Sequence, residues 1–388
     1  MRKNMTEHAA TARPEDHPGQ GDRIRVAVVF GGRSEEHPVS CSTAASVLSA
    51  IDRERYEVIP IGITRQGQWV VVDDDPEPLR LRPGQTPEVA AAGTGVIVPM
   101  QVGDRALKTL EAGQPPAVLG DVDVVLPLVH GPFGEDGTLQ GLFELADMRY
   151  VGCGVLASAV MMDKHYMKVV FEAAGLPVGP YRVITDRQWR SEPDAALARV
   201  GELEFPVFVK PCRAGSSFGI TRVTEPTGLR EAIEEARRHD PKVIVEQGIV
   251  GREIECGVLQ GHGTDAPRVS EPGEIVVAGG HDFYDFDAKY LDGASVQLTS
   301  PAEVDDQVKA RVQQVARDAF EAAGCEGLAR VDSFVTPDGQ VILNEINTMP
   351  GFTPSSMFPV MWAATGLDYP SLVDDLITLA MERPTGLR

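Results

Sequence analysis

The stretch GLARVDSFVTPDGQVILNEINTMPG, residues 327–351, says more about fold and chemistry than any other part of the chain. Two β-rich runs flank Pro337-Asp338-Gly339-Gln340, and Asp-Gly is a favoured two-residue hairpin turn. With Asp338 and Gly339 as the loop, Pro337 faces Gln340, Asp332 lies opposite Glu345, and Arg330 lies opposite Asn347. Arg330, Asp332, Glu345 and Asn347 sit at even steps along their strands, so these four share one face. Directly opposed side chains have Cβ atoms ~4.5–5.5 Å apart. Two carboxylates at ~5 Å repel by roughly 3 kcal/mol at an effective dielectric of ~20. A divalent cation reverses that sign, and two carboxylates with an amide oxygen suit Mg2+. Arg330 beside them can hold phosphate or a developing oxyanion. The opposing reading, a solvated hairpin face, is weakened by the apolar neighbours Val331, Phe334, Val341, Leu343 and Ile346 and by the Pro350-Gly351 bend. A one-residue slip in register would move the whole face.

Working outward, Val207–Val209 lead into Lys210 and a Gly/Ser loop, PCRAGSSFG. A lysine ending a buried strand before such a loop can reach a phosphate whose other oxygens meet loop N–H groups. The plainer alternative is a lysine snorkelling out at a strand end. No GxxxxGK[ST] occurs, so this is not a P-loop. Gly215–Gly219 matches GxSxG around Ser217, but that elbow needs a helix directly after the serine, and ITRVT reads as strand. Gly152-x-Gly154-x-x-Ala157 fits a dinucleotide fingerprint, yet it closes an α/β unit instead of opening one. In VIVEQGIVGREIECGVL, Glu246 ends a strand and Glu253 enters the next. The connector between them can present backbone groups to an adenine edge while Glu253 meets a ribose hydroxyl; a surface turn is the competing reading.

The rest of the chain supplies the frame. IRVAVVF (24–30), YEVIPIGIT (56–64) and DVDVVLPLVHG (121–131) are apolar strands, the first followed by a helix that Pro38 can open. Such strands alternating with helices predict a parallel sheet covered on both faces. Residues 73–120, rich in Pro, Gly and acid, carry no assignable pattern. SAVMMDKHYMKVVFEAAG (158–175) predicts one helix closed by Gly175. From about residue 176, short alternating strands and the helix LREAIEEARRH predict an α+β unit with antiparallel pairs. A long helix (304–324), the hairpin and a C-terminal helix follow.

Composition narrows the partners. The 57 acidic and 36 basic residues give a formal net charge of −21, which leaves no basic excess for a nucleic-acid backbone. No run of ~18 apolar residues suggests a membrane span. Residues 1–22 lack the apolar stretch of a signal peptide and read as a disordered polar tail. Cys41, Cys153, Cys212, Cys256 and Cys325 form no CxxC pair, so neither a disulfide framework nor a zinc site is expected, and a reducing cytoplasm is the simplest home. The eight histidines include no HExxH.

GGRSEEHPVS (31–40), HGPFGEDGTLQG (130–141), MDK (162–164), VKPCRAGSSFG (209–219), the Glu246 and Gly251-Arg252-Glu253 pair, YDFDAKY (284–290), RVDSF (330–334) and LNEINTMPGFTPSSMFP (343–359) occur in one order. In that order the chain resembles the D-alanine–D-alanine ligases of the ATP-grasp superfamily, from about residue 24 to its end. The resemblance implies a mixed α/β and α+β architecture of three domains. These are an N-terminal parallel α/β (pre-ATP-grasp) domain at 23–155, a central domain at 156–258 and a C-terminal domain at 259–388, with ATP between the last two. It implies that one D-alanine is phosphorylated to an acylphosphate, which the amine of a second attacks, yielding dipeptide for peptidoglycan synthesis.

By motif, Lys164 and Lys210 would bind ATP phosphates with Ser217 in the Gly/Ser loop, and Lys289 would cover the γ-phosphate. Glu246 and Ile249 would face adenine and Glu253 the ribose. Asp332, Glu345 and Asn347 would hold two Mg2+ ions, with Mn2+ as a substitute. Arg330 and the N–H of Gly351 would stabilise the tetrahedral oxyanion. Glu36 would take the first substrate's ammonium near His130, and Ser216 and Tyr290 would form a network with Glu36. Ser356 and Met357 would bracket the second substrate, and a homodimer is implied.

Tyr290 and Met357 stand where ester-forming, D-lactate-using relatives carry His and, in some, Arg, which favours an amide product. Ala214 departs from the Glu of many relatives in the Gly/Ser loop. Other readings are a D-alanine–D-lactate ligase, another ATP-grasp ligase or carboxylase, a nucleotide-binding regulatory module, and an NAD-dependent reductase, which fits worst.

Overall fold

The computed structural model describes residues 23–82, 84–99, 101–215, 218–277 and 296–385. The expected N-terminal tail, Ser216, Ser217, Lys289 and Tyr290 lie outside them. The first unit runs β1 (Ile24–Gly31), α1 (His37–Ala50), β2 (Tyr56–Ile63), β3 (Trp69–Val71), β4 (Gly95–Ile97), β5 (Ala106–Leu110), β6 (Ala117–Asp121), β7 (Val124–Pro127) and α2 (Thr138–Leu145). Its sheet has the order β6-β5-β4-β3-β2-β1-β7. The three apolar strands are parallel, as the sequence predicts: β1 pairs with β2 on one side and β7 on the other. Along β1 the side chains alternate between two cores. Val26, Val28 and Phe30 enter one, Ala27 and Val29 the other. The chain after β2 corrects the all-parallel expectation, since β3 and then β4 to β6, which fall in the unassigned 73–120 segment and its end, extend the sheet antiparallel. These strands are short and much of β6 is exposed, so hydrophobic periodicity leaves little trace there.

The helix expected over 158–175 is two helices, α3 (Val155–Met162) and α4 (Lys164–Ala173). Asp163 breaks them in extended conformation and caps α4, accepting from the N–H groups of His165 and Tyr166. The second sheet follows, with β8 (Tyr181–Ile184), α5 (Asp186–Ser191), α6 (Pro193–Val200), β9 (Val207–Pro211), β10 (Thr221–Val223), α7 (Leu229–Arg237) and β11 (Val243–Gln247). Its strands are antiparallel in the order β10-β9-β11-β8. Val207, Val209, Val243 and Val245 face its own core, which turns Phe208, Lys210, Ile244 and Glu246 to the opposite face.

The third sheet contains β12 (Arg252–Leu259), β13 (Arg268–Val269), β14 (Gly273–Val277), β15 (Val296–Thr299), β16 (Leu328–Val335) and β17 (Val341–Asn347). Helices α8 (Asp306–Ala322), α9 (Met357–Thr365) and α10 (Tyr369–Glu382) complete the unit. All of β12 pairs with β16, so this sheet begins at Arg252. Phe358 and Trp362 of α9 and Leu372, Val373, Leu376 and Ile377 of α10 share a core with β1, tying the chain's end to its start.

Arg330 pairs with Asn347 and Asp332 with Glu345, as the sequence predicts, but Ser333 pairs with Leu343 and Val335 with Val341. The loop holds three residues, Pro337, Asp338 and Gly339. Thr336 N–H donates to Gln340 O at 2.9 Å, and Gly339 takes φ +81°. Pro337 therefore does not face Gln340. The longer loop shifts the ladder by one, and a bulge at Asn344 shifts it back. That bulge also reverses parity. Val341, Leu343 and Ile346 stay in the core, while Glu345 and Asn347 turn to the other face.

Candidate active site

A cleft of about 750 Å3 is walled by the second and third sheets and reaches Glu36 and His130 of the first unit. The hairpin forms one end. Asp332, 2% exposed, accepts from Arg330 Nε at 2.8 Å and Nη2 at 2.7 Å, and from Asn347 Nδ2 at 3.0 Å. Arg330 Nε also lies 3.1 Å from Glu255 Oε2, on the β12 residue paired with Asp332. Burial opposes the guanidinium charge, but Asp332 and Glu255 together hold its pKa well above the usual arginine value. Glu345 Oε2 lies 3.2 Å from Lys164 Nζ, which also donates to Ala214 O at 3.3 Å. Burial disfavours the Lys164 charge, and Glu345 and Glu246 outweigh it.

Among the described residues no three His, Cys, Asp or Glu side chains are grouped to hold a metal. The hairpin offers Asp332, Glu345 and an amide oxygen from Asn347 instead. That all-oxygen set suits a hard divalent cation whose remaining positions are filled by phosphate and water.

The far end is cationic. Lys210 Nζ lies 2.6 Å from Glu246 Oε2, and Lys168 Nζ lies 3.1 Å from Glu246 Oε1. Burial would raise the Glu246 pKa, but Lys168 and Lys210 pull it down to about 2. Ile249, packed on Gly179, lines this end with Glu253, Phe208, Phe334 and Leu343.

At the third end, Glu36 precedes α1 and is 7% exposed. A Cβ on Gly131 or on Gly215 would strike its Oε2, so two loops close on this carboxylate. His130 Nδ1 lies 3.1 Å from Met349 O, a pure acceptor, so that nitrogen carries the proton. Nε2 then accepts from Thr43 Oγ1 at 3.2 Å, and burial keeps the ring's pKa below 6.5 against the pull of Glu36. Glu135 accepts from the N–H groups of Gly131 at 2.5 Å and Met349 at 3.1 Å. Burial and the Glu36 charge push its pKa up to about 8, against those two donors. Gly351 borders Ser356 Oγ, which accepts from Thr353 N–H at 3.1 Å, and Met357 packs on Ile275 and Met361.

The cleft thus gathers Glu36, His130, Lys164, Lys210, Glu246, Ile249, Glu253, Arg330, Glu345, Asn347, Gly351, Ser356 and Met357, with Asp332 just behind. The sequence reading missed Lys168, Glu255 and Glu135. Each had a signal. Lys168 stands one helical turn after Lys164, Glu255 two strand residues after Glu253, and Glu135 inside HGPFGEDG.

Two sheets facing across a cleft, lysines on one wall and an Asp/Glu/Asn/Arg hairpin on the other, define an ATP-grasp ligase. Family models described as "D-ala D-ala ligase N-terminus" and "D-ala D-ala ligase C-terminus" match residues 25–153 and 170–378. The chain belongs to the D-alanine–D-alanine ligase family. It is 59% identical over 372 residues to the D-alanine–D-alanine ligase of Pseudarthrobacter chlorophenolicus, covering 96% of this chain and 97% of that one. Among solved structures, it is similar to the VanG D-Ala:D-Ser ligase from Enterococcus faecalis, with a TM-score of 0.80, 37% identity and coverage of 92% and 100%. The D-alanine–D-alanine ligase from Coxiella burnetii gives a TM-score of 0.76 and 35% identity, with coverage of 93% and 94%.

Proposed function

We propose that this ligase joins two D-alanine molecules to supply D-alanyl-D-alanine for peptidoglycan, the γ-phosphoryl of ATP passing to the first carboxylate to leave ADP and departing as phosphate when the peptide bond forms. Lys164, Lys210 and the loop at Gly215, with Ser217, hold the ATP phosphates, and Lys289 covers the γ-phosphate. Glu246 and Ile249 meet adenine and Glu253 the ribose. Asp332, Glu345 and Asn347 would hold two Mg2+ ions, or Mn2+ in their place, and the metal would supply charge neutralisation for the transferring phosphoryl group.

Glu36 takes the ammonium of the first D-alanine and, with neutral His130 beside it, points its carboxylate at the γ-phosphate. Ser216 and Tyr290 fix Glu36. Ser356 and Met357 seat the second D-alanine so that its amine attacks the acylphosphate carbon. Arg330 and the Gly351 N–H meet the oxyanion that develops there, and phosphate leaves with the bonding pair. Tyr290 and Met357 favour an amine acceptor over D-lactate. No helix among the described residues is long and apolar enough to cross a membrane. The family resemblance and the unpaired, dispersed cysteines support a cytoplasmic enzyme, and the resemblance alone supports a homodimer.

The observation that supports this reading most is the pairing of Asp332 with Glu345 and of Arg330 with Asn347, with Lys164 3.2 Å from Glu345. The full chain, incubated with ATP, Mg2+ and D-alanine, should release equimolar phosphate and dipeptide. Release no greater than that of a folded Glu345→Ala variant would refute it.

A further inference from the structure

Lys168 takes no part in the chemistry above, yet it is one of the most buried charged side chains among the described residues. It lies on α4 one turn after Lys164 and is 3% exposed. An ammonium taken out of water to that extent persists only with a close counter-charge. Its Nζ lies 3.1 Å from Glu246 Oε1, with the Tyr181 ring centroid 5.9 Å away. Lys210 takes the other oxygen, Oε2, at 2.6 Å.

Lys210 faces two demands. In the structure its ammonium rests on Glu246, and in the proposed reaction it serves phosphate. A buried carboxylate that lost the only ammonium bonded to it would take up a proton more readily and become a donor. Glu246 has a second ion-pair partner, Lys168, on the oxygen that Lys210 does not use.

We infer that Lys168 is a positioning residue for the nucleobase: it holds the Glu246 carboxylate as an oriented acceptor when Lys210 leaves for phosphate, so that the site selects a base with an exocyclic amino group over one with a carbonyl there. The inference rests on the assignment of Glu246 to adenine and adds the residue that makes that assignment work. A purely structural clamp between α4 and β11 would have the same static contacts, so the test needs readouts that a clamp does not move.

Steady-state kinetics of the full chain with ATP and with ITP, which carries a carbonyl in place of the amino group, supply them. Lys168→Met should raise KM for ATP by about ten- to a hundredfold, the range for a lost charged hydrogen bond. Its kcat should stay within about threefold, the signature of lost ground-state binding. Its preference for ATP over ITP should shrink, and Lys168→Arg should restore both properties. In a Glu246→Gln background, Lys168→Met should add almost nothing. The inference is overturned if Lys168→Met keeps the ATP/ITP preference, lowers kcat alone, or costs the same factor with and without Glu246. Should Lys168→Met not fold, Lys168→Gln carries the same comparison. If Glu246→Gln itself leaves KM for ATP and the preference unchanged, the adenine assignment fails first and the inference with it.

Discussion

Replacing Arg330 by methionine keeps the aliphatic stem and deletes the guanidinium that separates two buried carboxylates. Asp332 is 2% exposed and Glu255 1%, and they are register partners on neighbouring strands. Arg330 spans them with bonds of 2.8 and 2.7 Å to Asp332 and an approach of 3.1 Å to Glu255. Without it, two carboxylates about 5 Å apart repel by roughly 3 kcal/mol at an effective dielectric of about 20. Breaking a buried ion pair from one side costs about 3–5 kcal/mol in total. Asp332 retains the Asn347 amide at 3.0 Å, so relief should come from neutralising Glu255. Arg330→Met is expected to destabilise the third sheet by about 3–5 kcal/mol. Adding Glu255→Gln should recover most of the repulsive part, about 3 kcal/mol.

The assay is urea unfolding followed by Trp362 fluorescence. Trp362 is 3% exposed and sits against Gly257 of β12, and Trp69→Phe and Trp189→Phe remove the other two tryptophans. A midpoint equal to that of the parent, or a Glu255→Gln change that restores nothing, would refute the electrostatic reasoning.

Gly131 and Gly84 take nearly the same backbone angle, φ +74° and +75°, but only Gly131 lies against Glu36, while Gly84 faces open space. Gly84→Ala should therefore cost only the left-handed strain, about 1–2 kcal/mol in thermal unfolding. Gly131→Ala should cost more and also raise KM for D-alanine; equal effects would show that the Glu36 contact is unimportant. For His130, burial holds the folded pKa below 6.5, so only the unfolded chain gains a proton as pH falls through that value. Its contribution to stability is thus present above about pH 6.5 and lost on acidification. His130→Gln should flatten the stability profile between about pH 5 and 7. An unchanged slope would mean that the folded ring takes the proton.

Much of the cleft was legible because its residues sit where local rules speak plainly. Lys210 ends an apolar run before a glycine loop, and Asp332 and Glu345 interrupt β-branched strands. The hairpin shows how such legibility can rest on compensating departures. The Asp-Gly signal predicts a two-residue turn and a three-residue one forms, yet the Asn344 bulge returns Asp332 and Glu345 to the same pairing. A trace of the bulge stood in the sequence. The apolar positions Val341, Leu343 and Ile346 break strict alternation, and a regular ladder would have sent Glu345 to the core with Leu343.

Glu255 and Lys168 were harder to read. A glutamate in an alternating strand and a lysine on an amphipathic helix are ordinary surface patterns, and only tertiary packing buried them against Arg330 and Glu246. The helix break at Asp163 leaves little trace in the sequence, because the apolar pattern continues across it and a single extended residue with a side-chain cap divides the two helices. The 73–120 strands follow neighbour pairing more than their own composition.

The decisive measurement is calorimetric titration of the full chain with a non-hydrolysable ATP analogue, with and without Mg2+, beside a folded Glu345→Gln variant. If the hairpin oxygens gather metal-bound nucleotide, Mg2+ will tighten binding to the wild type and do little for the variant. An equal gain in both proteins would mean that the metal is held elsewhere and that the paired carboxylates have another purpose.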